Sequence, residues 1–166
     1  MSEFMAATAG VAAAPTEERS ATAGSRLGIA IGDQRWLIDL RLAGEVLPIP
    51  EAIAIVPGAR PWFKGLANLR GALHGVVDLA EFQGGAPTER GKDARLLAFS
   101  PRLPVNAAIL VSRMMGLQSM ARMQQADSGG VDDWCGPGWR DAKGALWREL
   151  DLERLCANDA FLSAGR

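Results

Sequence analysis

Few side chains in this sequence are placed to do chemistry, and the first candidates are His74 and Asp78. The residues around them have the pattern of a strand, in which positions four apart point to the same face. A histidine beside a carboxylate is a general acid–base arrangement, but neither residue has a nucleophile near it in the sequence. We therefore interpret His74, the one histidine of the chain, as a structural residue.

The two cysteines, Cys135 and Cys156, are the other candidates. A nucleophilic Cys135 would need an activating base, and His74 is the only histidine that could serve. The cysteines lie far apart without a CxxC motif, and Asp132-Asp133 is an isolated acidic pair, so neither a disulfide framework nor a metal site is indicated. Phosphate-binding loops and HExxH are absent from the sequence. We expect no catalytic residue, metal or cofactor, and a cysteine or histidine hydrolase is the enzyme alternative.

Arg70 has the clearest opportunity to bind a partner. Apolar residues run up to Leu69, Arg70-Gly71 interrupts them and a second apolar run follows, which predicts a hairpin with Arg70 at its tip. A two-residue turn needs positive φ, which Gly71 supplies, and the guanidinium offers five donors in a rigid fork. The alternatives are an arginine that only solvates the turn, or one paired internally with Asp39 or Glu45.

The elements that position Arg70 occur twice in the chain. After the hairpin, Asp78-Leu79-Ala80-Glu81 has the side chains of a capping box, which predicts a short helix toward Phe82. Gly71-Ala72-Leu73 with Asp78-Leu79 recurs as Gly144-Ala145-Leu146 with Asp151-Leu152 at one constant offset. The repeat predicts two similar β-rich halves.

Composition and charge restrict the function classes. With 166 residues, 48% of them apolar and 22% charged, this is an ordinary globular chain of one domain or two small lobes. A net charge of −1 gives no basic field to attract nucleic acid or an anionic membrane. The sequence contains neither a bilayer-spanning apolar stretch nor a secretory signal, so we expect a cytoplasmic protein.

Glycine, proline and polar residues divide the rest of the chain. Residues 1–25 are rich in Ala, Thr and Ser, which predicts a flexible tail. Further predicted elements are strands over residues 27–31, 35–40, 52–56, 95–99, 104–111 and 146–150, a helical turn over 42–46, a connection over 83–93 and a closing helical turn over 151–156. Met114, Met115, Leu117 and Met120 are interpreted as core filling. The adjacent Trp62-Phe63 is interpreted as a lid on the core, with an interface anchor as the alternative.

The segment from Val56 to Gly71, followed by Val76-Val77-Asp78-Leu79, resembles the signature of the CheW family of chemotaxis coupling proteins. Its Pro-Gly-Ala-Arg-Pro-Trp approach and the long tail resemble the PilI-type branch, which serves type IV pilus twitching systems. The resemblance covers about residues 27–155. It implies an all-β fold of two SH3-like five-stranded β-barrels packed together with a few short helical turns, which agrees with the internal repeat.

The resemblance also implies a domain organisation. A CheW-like domain is expected over residues 26–160, with a first barrel over about 27–85, a linker over about 83–93 and a second barrel over about 94–156. Exchange of strands between the barrels is left open. Departures from the family pattern are His74-Gly75 in place of an aliphatic-Pro step, Ser112 in place of Asp, and residues 129–144, which align poorly.

By the same resemblance, the chain is expected to be a non-catalytic adaptor between a chemoreceptor's cytoplasmic tip and a CheA-type histidine kinase. The residues assigned to the receptor are Glu45, Val46 and Arg70. Those assigned to the kinase are Phe63, Gly65, Leu66, Arg95 and Leu96, and those assigned to structural turns are Asn68, Gly71 and Asp78. The alternatives are a coupling protein for flagellar chemotaxis and, more remotely, a small-barrel nucleic-acid-binding module.

Overall fold

A computed structural model of the protein describes residues 24–126 and 132–164. The predicted tail therefore lies almost wholly outside the described residues. Strands make up most of the regular secondary structure in the described ranges, with only a few short helices, and this confirms the predicted all-β class. The strands are β1 (Ser25–Ile31), β2 (Gln34–Ile38), β3 (Ala43–Leu47), β4 (Phe63–Leu69), β5 (Ala72–Val77), β6 (Arg95–Phe99), β7 (Ala107–Val111), β8 (Arg113–Ser119), β9 (Gln124–Ala126), β10 (Cys135–Arg140) and β11 (Leu146–Leu150).

Three short helices and one 3₁₀ turn accompany the strands in the described residues. The helices are α1 (Leu79–Phe82), α2 (Leu152–Ala157) and α3 (Asp159–Leu162), and the 3₁₀ turn is Met120–Arg122. The first two follow the predicted helical turns, whereas α3 has no counterpart in the sequence-based prediction. None of these helices has the length and apolar character needed to cross a membrane.

The strands form two sheets, and each sheet combines strands from both halves of the chain. One has the order β8-β1-β2-β11-β10-β9 and the other the order β3-β6-β7-β5-β4. Neighbouring strands are antiparallel except for β5 with β7 and β11 with β2, which are parallel. The last strand of the first half, β5, thus pairs with the β6–β7 hairpin of the second half, and the last strand of the second half, β11, pairs with the β1–β2 hairpin of the first.

The internal repeat is confirmed by this topology. Asp78 and Asp151 begin α1 and α2, and each carboxylate accepts a hydrogen bond from the backbone N–H three residues on, at 3.2 Å and 3.0 Å. Each aspartate also donates its backbone N–H to a tryptophan carbonyl, Trp62 in the first half at 2.8 Å and Trp134 in the second at 2.9 Å. Both halves therefore end in the same strand and capped helix.

Three apolar clusters hold the two sheets. The largest combines residues of both sheets, including Trp36, Leu97 and Phe161. A second cluster, with Leu47, Leu69 and Leu96 among its members, belongs to the five-stranded sheet, and the third belongs to the six-stranded sheet. Trp62 is buried in the largest cluster, where it stacks on Phe161 with ring centroids 5.7 Å apart, so the interpretation of Trp62 as core is confirmed.

The predicted core role of residues 114–120 holds for the methionines. Met114 packs against the largest cluster, and Met115 and Met120 pack against the third. Leu117 is instead 65% exposed, which corrects that part of the prediction.

Two sequence-based predictions in the first half are wrong. The helical turn over residues 42–46 is the strand β3, because a glycine at position 44 allows the backbone to approach β6. A Cβ on Gly44 would lie 2.7 Å from the Ala98 carbonyl oxygen. The strand predicted over residues 52–56 is a single bridge between Ala54 and Leu66, since the two prolines before it and Pro57 after it leave little backbone to pair.

Candidate interaction surfaces

The first surface is the tip of the β4–β5 hairpin together with the adjoining part of β3. Arg70 stands at the tip with its side chain 72% exposed, and its Nε lies 3.0 Å from Oε2 of Glu45, whose side chain is 57% exposed. Val46, the next residue of β3, is also exposed. We call Glu45, Val46 and Arg70 the tip surface. The structure brings Arg70 into contact with Glu45, and Val46 follows Glu45 on β3.

The tip surface joins strands from opposite edges of the five-stranded sheet. β3 and β4 are the first and last strands in the sheet order, so the contact between Glu45 and Arg70 requires the sheet to curl until its edges approach. The register of β3 shifts between Ala43 and Val46, and such an irregularity bends a strand and re-aims its side chains. The curl of the sheet thus determines the position of Glu45.

The backbone of Arg70 is unusual. Its φ is 55°, in the left-handed region, and Gly71 follows with φ 83°, so both central residues of the turn have positive φ. Turns of this kind join antiparallel strands well but favour glycine or asparagine at both positions. The turn is held by Asn68, whose Oδ1 accepts the Gly71 N–H at 3.0 Å. Arg70 therefore occupies a position where its own backbone conformation is unfavourable.

The second surface lies at the other end of the same hairpin. Phe63 begins β4 and is half-buried, with its ring lying over Gly75, where a Cβ would fall 2.7 Å from Cε1 of Phe63. Leu66 is half-buried, and Ile55 is 82% exposed on the segment that crosses the edge of β4. We call Ile55, Phe63 and Leu66 the base surface. An open cleft of about 430 Å³ lies beside it, lined also by Lys64 and Arg90.

Gly65 lies below the base surface, where the segment around Ala54 makes a close contact with β4. The N–H of Leu66 donates to the Ala54 carbonyl at 2.8 Å, and the Ala54 N–H donates back to the Leu66 carbonyl at 2.8 Å. A Cβ on Gly65 would overlap the Ala54 carbonyl oxygen, and the φ of Gly65 is 135°. Gly65 is buried, so it acts by letting the segment with Ile55 lie against β4.

The structure does not bring Arg95 and Leu96 to the base surface. They lie on β6, which is separated from β4 by β7 and β5. Leu96 is fully buried in the second apolar cluster, where its side chain is inaccessible to a partner. Arg95 is half-buried, and its guanidinium donates to the backbone carbonyls of Lys92 and Ala94 at 3.0 Å and 2.8 Å.

Asp78 has a larger structural role than the sequence suggested. It is fully buried, and besides capping α1 its carboxylate accepts the backbone N–H of Thr88 at 2.7 Å and the Thr88 hydroxyl at 2.8 Å. These bonds anchor the connection over residues 83–93 to the hairpin. Thr88 was missed because a lone threonine in a polar segment carries no sequence signal for burial.

The residues considered for catalysis are not assembled into a site. His74 lies on β5 of the five-stranded sheet and Cys135 on β10 of the other. Burial raises the pKa of the Cys135 thiol to about 11, assisted by the nearby Asp132 carboxylate, and burial also raises the pKa of Cys156 to about 11. Thiols with such pKa values are poor nucleophiles at neutral pH. Within residues 24–126 and 132–164, no cluster of three or more His, Cys, Asp or Glu could hold a metal ion.

Ile55 is the candidate binding residue that the sequence analysis missed. Its neighbours predicted a paired strand, in which an isoleucine is ordinarily half-buried. The segment instead pairs at one position only, and this leaves the side chain of Ile55 in solvent. The available signal was the density of prolines around residues 48–61, which is incompatible with a regular strand.

A family model, a relative of known name and a solved structure each resemble this chain. The model of the CheW-like domain matches residues 26–160. Over 104 residues, or 63% of this chain, the sequence is 31% identical to Protein PilI of Pseudomonas aeruginosa, and the match spans 57% of that protein. The crystal structure of the scaffolding protein TtCheW from Thermoanaerobacter tengcongensis superposes with a TM-score of 0.67 at 15% identity, covering 82% of this chain and 94% of that one. This last likeness shows a shared fold.

Proposed function

The chain belongs to the family of CheW-like domains, and we propose that it is a non-catalytic adaptor that couples a chemoreceptor to a CheA-type histidine kinase. The similarity to Protein PilI favours a chemosensory system that controls type IV pilus twitching. In this proposal the tip surface binds the receptor's cytoplasmic tip, and the base surface binds the kinase's regulatory domain.

The observation that carries the proposal is the position of the two surfaces at opposite ends of one hairpin. Phe63 is the first residue of β4, and Arg70 directly follows its last. At about 3.4 Å per residue in an antiparallel strand, these positions are roughly 20 Å apart. This separation supports the binding of two partners at the same time, as an adaptor requires.

The chemistry of the tip surface suits a polar partner. A guanidinium forms two parallel hydrogen bonds with a carboxylate or with backbone carbonyls. The contact of Glu45 with Nε of Arg70 restricts where the guanidinium lies. Val46, the next residue after Glu45 on β3, adds an exposed apolar side chain. The unfavourable backbone of Arg70 also supports a binding role, because a residue retained against its conformational preference often marks a functional position.

The chemistry of the base surface is more apolar. Ile55 and Phe63 offer aliphatic and aromatic contact area of the kind that anchors protein interfaces. Lys64 lies at the rim in an ion pair with Glu81, and Arg90 lines the cleft. A base surface with an apolar centre and a charged rim matches the usual anatomy of a protein–protein interface.

Binding measurements with the two partners separately test the proposal. The full chain is titrated with the receptor's cytoplasmic fragment and with the kinase's regulatory domain, both from the same organism. Arg70→Ala should weaken receptor binding by tenfold or more, about 1.4 kcal/mol or above, and leave kinase binding unchanged. Ile55→Glu should weaken kinase binding by a similar factor and leave receptor binding unchanged. The controls are Arg41→Ala, whose side chain is equally exposed at 71%, and Leu162→Glu, an exposed leucine on α3.

Two results would contradict the assignment. If either Arg70→Ala or Ile55→Glu abolishes both receptor binding and kinase binding, the two surfaces are not separate. If each variant still binds receptor and kinase as the parent does, neither surface is a binding site. The pathway is tested by deleting the gene and measuring motility. Loss of twitching with intact swimming supports the pilus assignment, and the reverse assigns the protein to flagellar chemotaxis.

A further inference from the structure

The β10–β11 hairpin repeats the cationic tip of the β4–β5 hairpin. Lys143-Gly144 stands where Arg70-Gly71 stands in the first half, and Asp141 takes the place of Asn68. Asp141 Oδ1 accepts the backbone N–H groups of Lys143 and Ala145, each at 2.9 Å, whereas Asn68 Oδ1 accepts that of Gly71. The second half therefore also presents a cation on a connection that a polar side chain holds at the matching position, but residues 141–145 form a longer connection than the Arg70-Gly71 turn.

Three cations and one carboxylate, that of Asp141, line the cleft beside the second tip, so cations are in excess there. Asp141 is the acid closest to Lys143 in sequence, but its Oδ1 is engaged by the turn and its Oδ2 accepts the indole N–H of Trp147 at 2.9 Å. These hydrogen bonds lower the pKa of Asp141 and leave its carboxylate little capacity for a further partner. Lys143, Arg35 and Arg122 form no salt bridge within the part of the chain that the structure describes.

These cations surround a cleft with an apolar floor. The cleft has a volume of about 480 Å³, and its floor is Met115, Met123 and Trp147 from the third apolar cluster. The guanidinium of Arg35 lies over the Trp147 ring, 5.8 Å from its centroid. We call the area of Arg35, Met115, Arg122, Met123, Lys143 and Trp147 the second-tip cleft. Methionine side chains adapt to varied apolar partners, and the three cations set the charge of the rim.

We propose that the second-tip cleft is a docking site for an acidic amphipathic segment of a partner protein, in addition to the two surfaces described above. An apolar side chain of the segment would lie against Met115 and the exposed Leu117, which also lines the cleft. Carboxylates on either side of it would face Arg35, Arg122 and Lys143. Charge complementarity selects this occupant, because the rim is cationic although the whole chain carries a net charge of −1. The proposal does not depend on the receptor and kinase assignments.

The test is the binding of a fluorescein-labelled helical peptide to the full chain. The peptide has about 14 residues, with leucine at every third or fourth position and glutamate elsewhere, and a second peptide carries lysine in place of glutamate. The acidic peptide should bind and the basic one should not. Lys143→Glu and Arg122→Glu should each weaken binding by about tenfold or more, whereas Arg41→Glu, a charge reversal outside the cleft, should leave it unchanged. Added salt should weaken binding of the acidic peptide.

Several outcomes would overturn the proposal. Equal binding of both peptides, or equal binding by the Lys143→Glu and parent proteins, would show that the cleft has no selectivity for acids. Tighter peptide binding after deletion of residues 1–23 would assign the cleft to this chain's own N-terminal segment. A concentration-dependent dimer that Lys143→Glu abolishes would assign it to a second copy, and co-sedimentation with phosphatidylglycerol vesicles in place of peptide binding would assign it to a membrane surface.

Discussion

Arg70 and Glu45 form an ion pair between the two edge strands of the curled five-stranded sheet. Both side chains are more than half exposed, and exposed pairs contribute only about 0–1 kcal/mol to stability. The sequence analysis gave internal pairing with Asp39 or Glu45 as an alternative role for Arg70, and the structure shows the pairing with Glu45. Asp39 is bound by Arg41 at 2.8 Å, and this hydrogen bond lowers the pKa of Asp39. The Arg70–Glu45 pair is therefore a weak stabilising element at an accessible place.

Replacement of Arg70 should leave the fold intact. Arg70→Ala removes an exposed side chain and should change the free energy of unfolding by about 0.5 kcal/mol. Arg70→Gly relieves the left-handed backbone and should be as stable as the parent or more stable, by up to about 1 kcal/mol. Urea unfolding measures both. An Arg70→Ala protein that loses several kcal/mol would show that Arg70 is structural.

An exchange of the two charges separates the ion pair from partner binding. The double variant Arg70→Glu with Glu45→Arg can restore the pair across the strand edges. If Arg70 acts only on this chain, the double variant should recover receptor binding that each single variant lacks. We expect the binding to stay lost, because the partner would now face a carboxylate in place of the guanidinium. Arg70→Lys should recover it poorly, since an ammonium lacks the planar fork.

Gly65→Ala should act on the base surface from within. The new Cβ would overlap the Ala54 carbonyl oxygen, and alanine is strained at a φ of 135°. The segment with Ile55 must then move away from β4, so we expect a stability loss of about 2 kcal/mol or more together with weaker kinase binding. Gly71→Ala is the matched control, because no atom lies within 4 Å of its Cβ position and only the backbone strain remains. Equal kinase binding by both variants would contradict the role given to Gly65.

The hairpin and its helix could be predicted because their signals are local. The Arg70-Gly71 turn and the Asp78 cap depend on residues within a few positions of each other, and the repeat supplied the second copy. What could not be predicted depends on distant contacts. The contact of Glu45 with Arg70 requires the curl of the whole sheet, and β3 forms because Gly44 fits closely against β6.

The same contrast between local signals and distant contacts applies to the two candidate surfaces. The family resemblance assigned Arg70, Glu45 and Val46 of the tip surface and Phe63 and Leu66 of the base surface. The burial of Leu96 depends on the packing of β6 between β3 and β7, and one sequence without its strand pairing does not contain that information. For Ile55, only the prolines around it signalled an unpaired segment.

Both thiols should be unreactive at neutral pH. The pKa values of Cys135 and Cys156 are about 11, and the thiolate is the reacting form, so alkylation by iodoacetamide should become fast only as the pH approaches about 11. Unfolded thiols titrate near pH 8.5, so the stability linked to these groups is complete below about pH 8.5 and is lost as the pH rises toward about 11. Alkylation of Cys135 with a midpoint at or below pH 8 would reopen the hydrolase alternative. Cys135→Ala identifies the thiol that reacts.

Phe161 should be the residue through which α3 stabilises the domain. It is 4% exposed, and its ring contacts those of Trp62, Phe82 and Phe99 at centroid distances of 5.7, 5.6 and 6.4 Å. Phe161→Ala leaves a cavity in the largest apolar cluster and should lower the free energy of unfolding by about 3–5 kcal/mol.

The neighbouring Leu162 provides the control for Phe161 within the same helix. Its side chain is 56% exposed, so Leu162→Ala should change the stability by about 0.5 kcal/mol or less. Urea titration followed by tryptophan fluorescence measures both variants, because Trp62 stacks directly on the Phe161 ring and reports its loss. The two substitutions share a helix and an alanine product, so a difference of several kcal/mol between them reflects chiefly the burial of Phe161 and the exposure of Leu162. If both substitutions change the free energy of unfolding by the same small amount, then α3 does not pack on the core in solution and Phe161 does not stack on Trp62.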